Sequence, residues 1–198
     1  MGTTRPDRKA QILAEATRLF SDEGFDKVTV KHLAEAVGIS EPALYRHFDS
    51  KGKVYDAVLE SIASRLDTET LFEQLKDEDD LEILLRGLAS HIISFFTINE
   101  DLYRLLLFSA LRGHGRAREV YKLIRGSYVK FLTKQLDRLQ KKQIIIRKRN
   151  DITARCFTGM VFECALGMTL WKGFHTKEYL AEELMANNIP IYVRGLKA

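Results

Sequence analysis

The sequence predicts an all-α fold: a small N-terminal helical head, a connecting helix and a larger helical body. Three observations predict it. Apolar residues recur at three- and four-residue intervals in segment after segment of the 198 residues. Three prolines and twelve glycines are too few for the many turns of an all-β chain. The breaks between apolar segments fall at residues that cap or end helices: Thr29, Gly38, Ser40, Ser50 and Asp80. A chain of this length buries a substantial core and fits a head of residues 1–50, a connector over about 50–65 and a body of 66–198.

In the head, Ile12, Ala16, Leu19 and Phe20 stand at helical spacing within residues 7–22, so this first helix can pack across the two that follow and fix their angle. Thr29 caps a second helix whose inner residues are Val30, Leu33, Ala34 and Val37. Gly38 supplies the backbone freedom to leave it sharply. Ser40 caps a third, with Glu41 and Pro42 in its first turn, where a carboxylate suits the helix dipole and proline forfeits no hydrogen bond. Ile39, Leu44 and Phe48 turn inward, which leaves Glu41, Pro42, Ala43, Tyr45, Arg46 and His47 on the tip and outer side. Two short helices joined in this way form a helix-turn-helix, a device whose second helix offers its N-terminal residues to base edges in a duplex groove. Ser50 caps a fourth helix, with Val54, Val58 and Ile62 on one stripe.

Charge refines the picture. The chain carries a net +4, but residues 1–65 hold ten Lys and Arg against ten Asp and Glu, so attraction to phosphate must come from local clusters. One is Arg5, Arg8 and Lys9. The other gathers Lys31, Arg46, His47, Lys51 and Lys53 around the turn, where the helix N-termini at Thr29 and Ser40 add oriented N–H groups.

Gly24-Phe25, Thr29-Val30, the run Leu33-Ala34-Glu35-Ala36-Val37-Gly38-Ile39-Ser40, Leu44-Tyr45-Arg46-His47-Phe48 and Ser50-Lys51 together resemble the DNA-binding signature of the TetR family of bacterial transcriptional regulators, over about residues 8–60. The resemblance implies a homodimer formed through the last two helices, a palindromic operator, repression as the commoner mode, and a small-molecule cavity in the body. It also places Tyr45 and Lys51 beside the duplex backbone. Glu41-Pro42 departs from the Lys or Gly often found there. With Ala43 these residues offer no bidentate arginine–guanine or asparagine–adenine pair, which leaves methyl groups or duplex shape to be read.

The body follows as helices with short breaks. Residues 68–80 read as a polar, acidic passage. Helices are expected over 80–97, 100–112 and 116–142, then a turn or short extended piece at 144–149. Lys141, Lys142, Arg147, Lys148 and Arg149 there read as a solvated surface. Residues 151–172 form a helix apolar on nearly every side, which a partner subunit would cover, with Gly159 and Gly167 permitting close approach. The last helix, from 176 to 188, continues beyond Pro190, where the chain is expected to kink or restart. Cys156 and Cys164 are about 12 Å apart along one helix, too far to bridge, and read as buried free thiols.

The aromatic content of the body suits an apolar ligand as well as a packed core. His91, Phe95, Tyr103, Phe108, Tyr128, Phe131, Phe157, Met160, Glu163 and Trp171 are the candidate ligand contacts, although packing is the ordinary role of any one of them. No catalysis, cofactor or metal is expected. The five histidines are scattered, and no His-x-x-x-His pair, phosphate loop, nucleophile elbow or paired cysteine ligands occur. An apolar signal core and a run of about twenty apolar residues are both lacking, so a cytoplasmic location is expected. The alternative to a ligand-released repressor is a DNA-binding regulator governed by a protein partner or by its own abundance.

Overall fold

A computed structural model describes residues 7–174 and 177–197, the side chains of 62 and 63 excepted. Arg5, His175 and Thr176, and the side chain of Ile62, lie outside the described residues. Ten helices follow in order: α1 (Arg8–Glu23), α2 (Val30–Val37), α3 (Glu41–Tyr45), α4 (Lys51–Arg65), α5 (Thr68–Leu75), α6 (Leu81–Ile98), α7 (Glu100–Leu111), α8 (Gly115–Lys141), α9 (Asn150–Met168) and α10 (Ala181–Leu196). They group into two compact units, one of residues 1–65 with 101–121, the other of 66–100 with 122–198.

In the first unit, α1 packs against α2 and α4, and α2 against α3. Most of the apolar residues that set the helical periods are buried: Ile12, Ala16, Leu19 and Phe20 from α1, Leu33 and Ala34 from α2, Leu44 from α3, and Val54 and Val58 from α4, joined there by Tyr55 and Leu59, while Val30, Val37 and Ile39 are half-buried. The unit also takes in most of α7 and the first turns of α8. Ser21 Oγ donates to the Asp101 carbonyl at 2.9 Å, and Tyr55 Oη bonds Ser109 Oγ. The Tyr55 ring stands edge-on to Phe20 (5.0 Å between centroids) and to His114 (4.6 Å).

The second unit is built on α6, which packs against α5, α9 and α10. Among the described residues α6 is the one helix long and apolar enough to cross a bilayer, contrary to the reading that none comes near. Nine of its residues, Leu84, Leu85, Leu88, Ile92 and Phe96 among them, are buried inside the unit, so its apolarity is that of a core helix.

Three sequence readings are corrected here. The passage after residue 67 contains a helix: Asp67 Oδ1 accepts from Thr70 N at 3.1 Å to cap α5, and Phe72 and Leu75 dock inward. Pro190 neither stops nor restarts α10, which runs unbroken from Ala181 to Leu196. Proline removes a bond to the carbonyl four residues back, and that residue, Ala186, is exposed, so water can serve the freed oxygen. Cys156 is exposed and Cys164 only half-buried, because α9 turns Phe157, Val161, Phe162 and Ala165 inward and leaves Cys156 on the opposite side.

After α8, Gln143 adopts a left-handed conformation (φ 61°) that lets Ile144 N reach the Leu139 carbonyl at 3.0 Å. Ile145 then pairs with Lys197, the short extended piece the sequence allowed. Gln143→Gly is expected to raise the unfolding free energy of this unit by about 0.5–1 kcal/mol, since glycine takes that conformation without the Cβ penalty. A thermal melt reads the gain, and a lower Tm would sink it.

Candidate nucleic-acid interface

The helix-turn-helix is cut by its caps. Thr29 Oγ1 accepts from His32 N at 3.1 Å and starts α2. Gly38 (φ 68°, ψ 41°) ends it, its N–H reaching Glu35 O while Ile39 N reaches Ala34 O at 2.9 Å. Ser40 Oγ accepts from Ala43 N at 3.3 Å and starts α3 only two residues later. So tight a sequence of stop and start fixes the angle between the helices. Leu44 is 0 % and Phe48 6 % exposed, whereas Glu41, Pro42, Tyr45, Arg46 and His47 are all exposed and Ala43 is half-buried. Tyr45 keeps 47 % of its surface in solvent.

The flanking cations divide by environment. Lys31 lies within 3.9 Å of Glu35, and both side chains are well exposed, a pairing that solvent screens to little net energy. Arg8, Lys9, Arg46 and Lys53 are exposed. Lys51 is held inside. Its ammonium donates to the carbonyls of Phe25 and Val28, each at 2.9 Å, and sits 4.2 Å from the centroid of the Phe25 ring. One of its three N–H groups is left for an outside acceptor. Sequence reasoning gave Lys51 a phosphate and did not foresee this internal bracing, because the carbonyls it ties stand 23 and 26 residues away.

A family model for tetR-family bacterial regulatory proteins matches residues 12–58, the stretch that contains α2, the turn and α3. Over that stretch the chain carries the tetR-family pattern. It is 37% identical over 128 residues to the nucleoid occlusion factor SlmA of Citrobacter koseri, and 36% to that of Escherichia coli O1:K1, each match covering 62% of this chain and 64% of the relative's length. Solved structures share the fold at low identity. They include a putative transcriptional regulator from Saccharomonospora viridis in complex with choline (TM-score 0.76, 14% identity, 98% of this chain and 100% of that one) and the fatty acid degradation regulator FadR from Bacillus halodurans (TM-score 0.75, 15% identity, 98% of each). The chain thus spans about two thirds of the length of the SlmA relatives it matches, and the tetR-family match is confined to its N-terminal helices.

The candidate ligand residues scatter. His91, Tyr128 and Phe131 come together in the second unit. His91 Nδ1 lies 2.7 Å from Tyr128 Oη, and Phe72 stacks on Phe131 at 4.2 Å and meets Tyr128 edge-on. Phe162 joins these aromatics, 6.3 Å from Tyr128 and 5.3 Å from Phe96, which also meets Phe95. Phe157 instead meets Tyr192, Trp171 meets Phe174, and Met160 Sδ lies 3.8 Å from Cys164 Sγ. Glu163 borders a surface groove of about 380 Å³ with Met168, Tyr179 and Leu180. Tyr103 and Phe108 belong to the first unit. Phe72 was missed, although Leu71, Phe72 and Leu75 behind a capping Asp67 carry a helical signal.

Burial pushes the Tyr128 hydroxyl well above the usual tyrosine range. Burial also pulls the His91 imidazole below its ordinary value of 6.5, against the smaller opposing influence of Asp67. An unfolded chain therefore binds a proton that the folded one resists, and stability falls as pH drops below about 6.5. Thermal melts between about pH 7.5 and 5.5 are expected to show a falling Tm, and His91→Gln a shallower fall. An unchanged pH profile in the variant would exclude His91 as the cause.

Proposed function

We propose that the chain acts as a homodimeric repressor that binds a palindromic operator through α3 and is released by an apolar or amphipathic small molecule. The observation that carries the DNA contact is the division of α3 itself: Leu44 and Phe48 inward, Tyr45, Arg46 and His47 outward. Thr29, Lys31, Ser40, Glu41, Pro42, Ala43 and Lys51 complete the contact surface. One short helix spans only a few base pairs, so a two-fold dimer with readers about 34–36 Å apart, or a multiple of it, is what an operator demands.

The C-terminal helices are the dimer surface of this reading. Ile152 on α9 and Ile191 on α10 are 51 % and 62 % exposed, while the inner sides of both helices are buried. Gly159 is half-buried, with Arg125 Nη2 3.1 Å from where a Cβ would stand. For the effector, the aromatic surroundings of the His91–Tyr128 pair support an apolar ligand with one polar fixing point. A solved neighbour with choline and another with isovaleryl coenzyme A and operator DNA lend the idea precedent within the fold.

One observation favours the second reading, control by a protein partner or by abundance. The cavity between α6, α9 and α10 measures about 10 Å³, room for no more than a water molecule. Operator titrations with and without apolar effectors decide between the two, since an effector acts only through its difference in affinity for the two states. Footprinting on genomic DNA supplies the operator. Tyr45→Ala is then expected to weaken binding about tenfold or more, roughly 1.4 kcal/mol, with the sedimentation of the dimer unchanged. Equal affinity in a gel shift would remove α3 from the interface.

A further inference from the structure

Charge in this chain is concentrated in one place. Residues 115–149 carry twelve Lys and Arg against two acids, Glu119 and Asp137, a net +10 in a chain whose total is +4. Along α8 and just past its end, Lys130, Lys134, Arg138 and Lys142 recur at every fourth position, a like-charge ladder that works against the helix it sits on. Two of the four share one carboxylate, since Arg138 and Lys142 both reach Asp79. Among the described residues no ion pair forms on Lys130, Lys134 or Lys141, and all three are exposed. At 100° per residue they fall within about 40° of one another, which makes a single stripe along α8. They border a shallow surface groove of about 760 Å³, whose lining also holds the cations Lys76, Arg138 and Lys142 and two carboxylates, Asp77 and Asp137, so that its lining carries six cations against two acids.

We infer that this stripe is a second polyanion surface, and that its occupant is the phosphate backbone of duplex DNA, held without regard to sequence. The composition of the stripe selects that occupant. Steps of about 6 Å and 10.5 Å separate the three ammonium-bearing residues along the helix, and a duplex offers one negative charge about every 1.7 Å of its axis. Lysine meets phosphate as a point charge and carries no base-reading fork. Single strands would call for aromatic stacking platforms, and the stripe has none. A bilayer surface would call for an apolar face, and Leu123 alone is aligned with it. Protein interfaces are depleted in lysine and centred on aromatic or arginine anchors, the reverse of what stands here. The surface lies on α8 in the second unit and is a separate feature from α3.

The test uses the full-length chain and a random-sequence duplex of about 40 base pairs, titrated between about 50 and 200 mM salt. In the variant Lys130→Ala/Lys134→Ala/Lys141→Ala the slope of log K against log salt is expected to flatten by about 2 to 3, so the wild type loses about 40-fold more affinity than the variant across that range. Helix content by circular dichroism should hold or rise, since alanine is the better helix former. A head variant, Tyr45→Ala/Arg46→Ala, should keep a salt-sensitive affinity for the random duplex that the triple substitution removes. An unchanged slope overturns the inference, as does a wild type that fails to bind random duplex at low salt. Lysine-dependent binding of polyglutamate or of phosphatidylserine vesicles, with the duplex slope unchanged, would overturn it in favour of an acidic protein or a membrane. The reading of α3 falls separately, on the affinity of Tyr45→Ala for the footprinted operator.

Discussion

Lys51→Met is expected to lower the stability of the N-terminal unit by about 2–4 kcal/mol and to abolish operator binding with it. The size follows from what the ammonium does. It donates to two part-buried carbonyls, Phe25 O and Val28 O, and lies against the Phe25 ring. Methionine fills much of the same volume and donates nothing, so both oxygens would lose a charge-assisted bond that water cannot fully replace. The two carbonyls belong to the segment between α1 and α2, and Val28, itself 0 % exposed, directly precedes the Thr29 cap. Loosening that segment frees the entry into α2 and with it the angle at which α3 is offered. Denaturant unfolding and gel shifts on the same variant check the two halves. Full stability with lost binding would mean that Lys51 acts only on phosphate; full binding would mean that the bracing is dispensable.

What could be read in advance, and what could not, divides along the range of the interactions. Caps are local: Thr29, Ser40 and Asp80 each bond a backbone N–H two or three residues on, so their spacing alone announced α2, α3 and α6. The outward face of α3 followed from the same short-range periodicity. Lys51 could not be assigned that way, because nothing near it in sequence marks Phe25 O as its acceptor. The body suffered more. The chemistry of ten candidate ligand residues does not reveal which helix faces meet. The chain brings His91, Tyr128 and Phe131 to one place and assigns Tyr103 and Phe108 to the other unit. Phe72, which joins Tyr128 to Phe131, went unseen because the acidic residues around it disguised an amphipathic helix as a linker. Cys156 was misjudged for a related reason: a helix apolar on most sides still has one side turned outward, and composition does not say which.

Leu44→Ala separates the mounting of α3 from its chemistry. A helix of five residues has no stability of its own, because nucleation costs more than one turn of hydrogen bonds returns. It stays in position through Leu44 and Phe48, the first 0 % exposed at the meeting of α2 and α3, the second covered in part by Lys9, whose Nζ lies 5.5 Å from the ring centroid. Removing the leucine side chain is expected to cost about 2–5 kcal/mol, the transfer of its lost carbons plus the cavity they leave. Operator affinity should disappear although every outward residue, from Glu41 to His47, is retained. Tyr45→Ala makes the converse change, sparing the core and removing a contact, so its affinity loss should come without a shift in Tm. The pair of variants therefore distinguishes a docked reading helix from a merely exposed one. If Leu44→Ala binds operator normally while its Tm drops, the DNA is being held by some other surface, and the basic stripe of α8 is the first place to look.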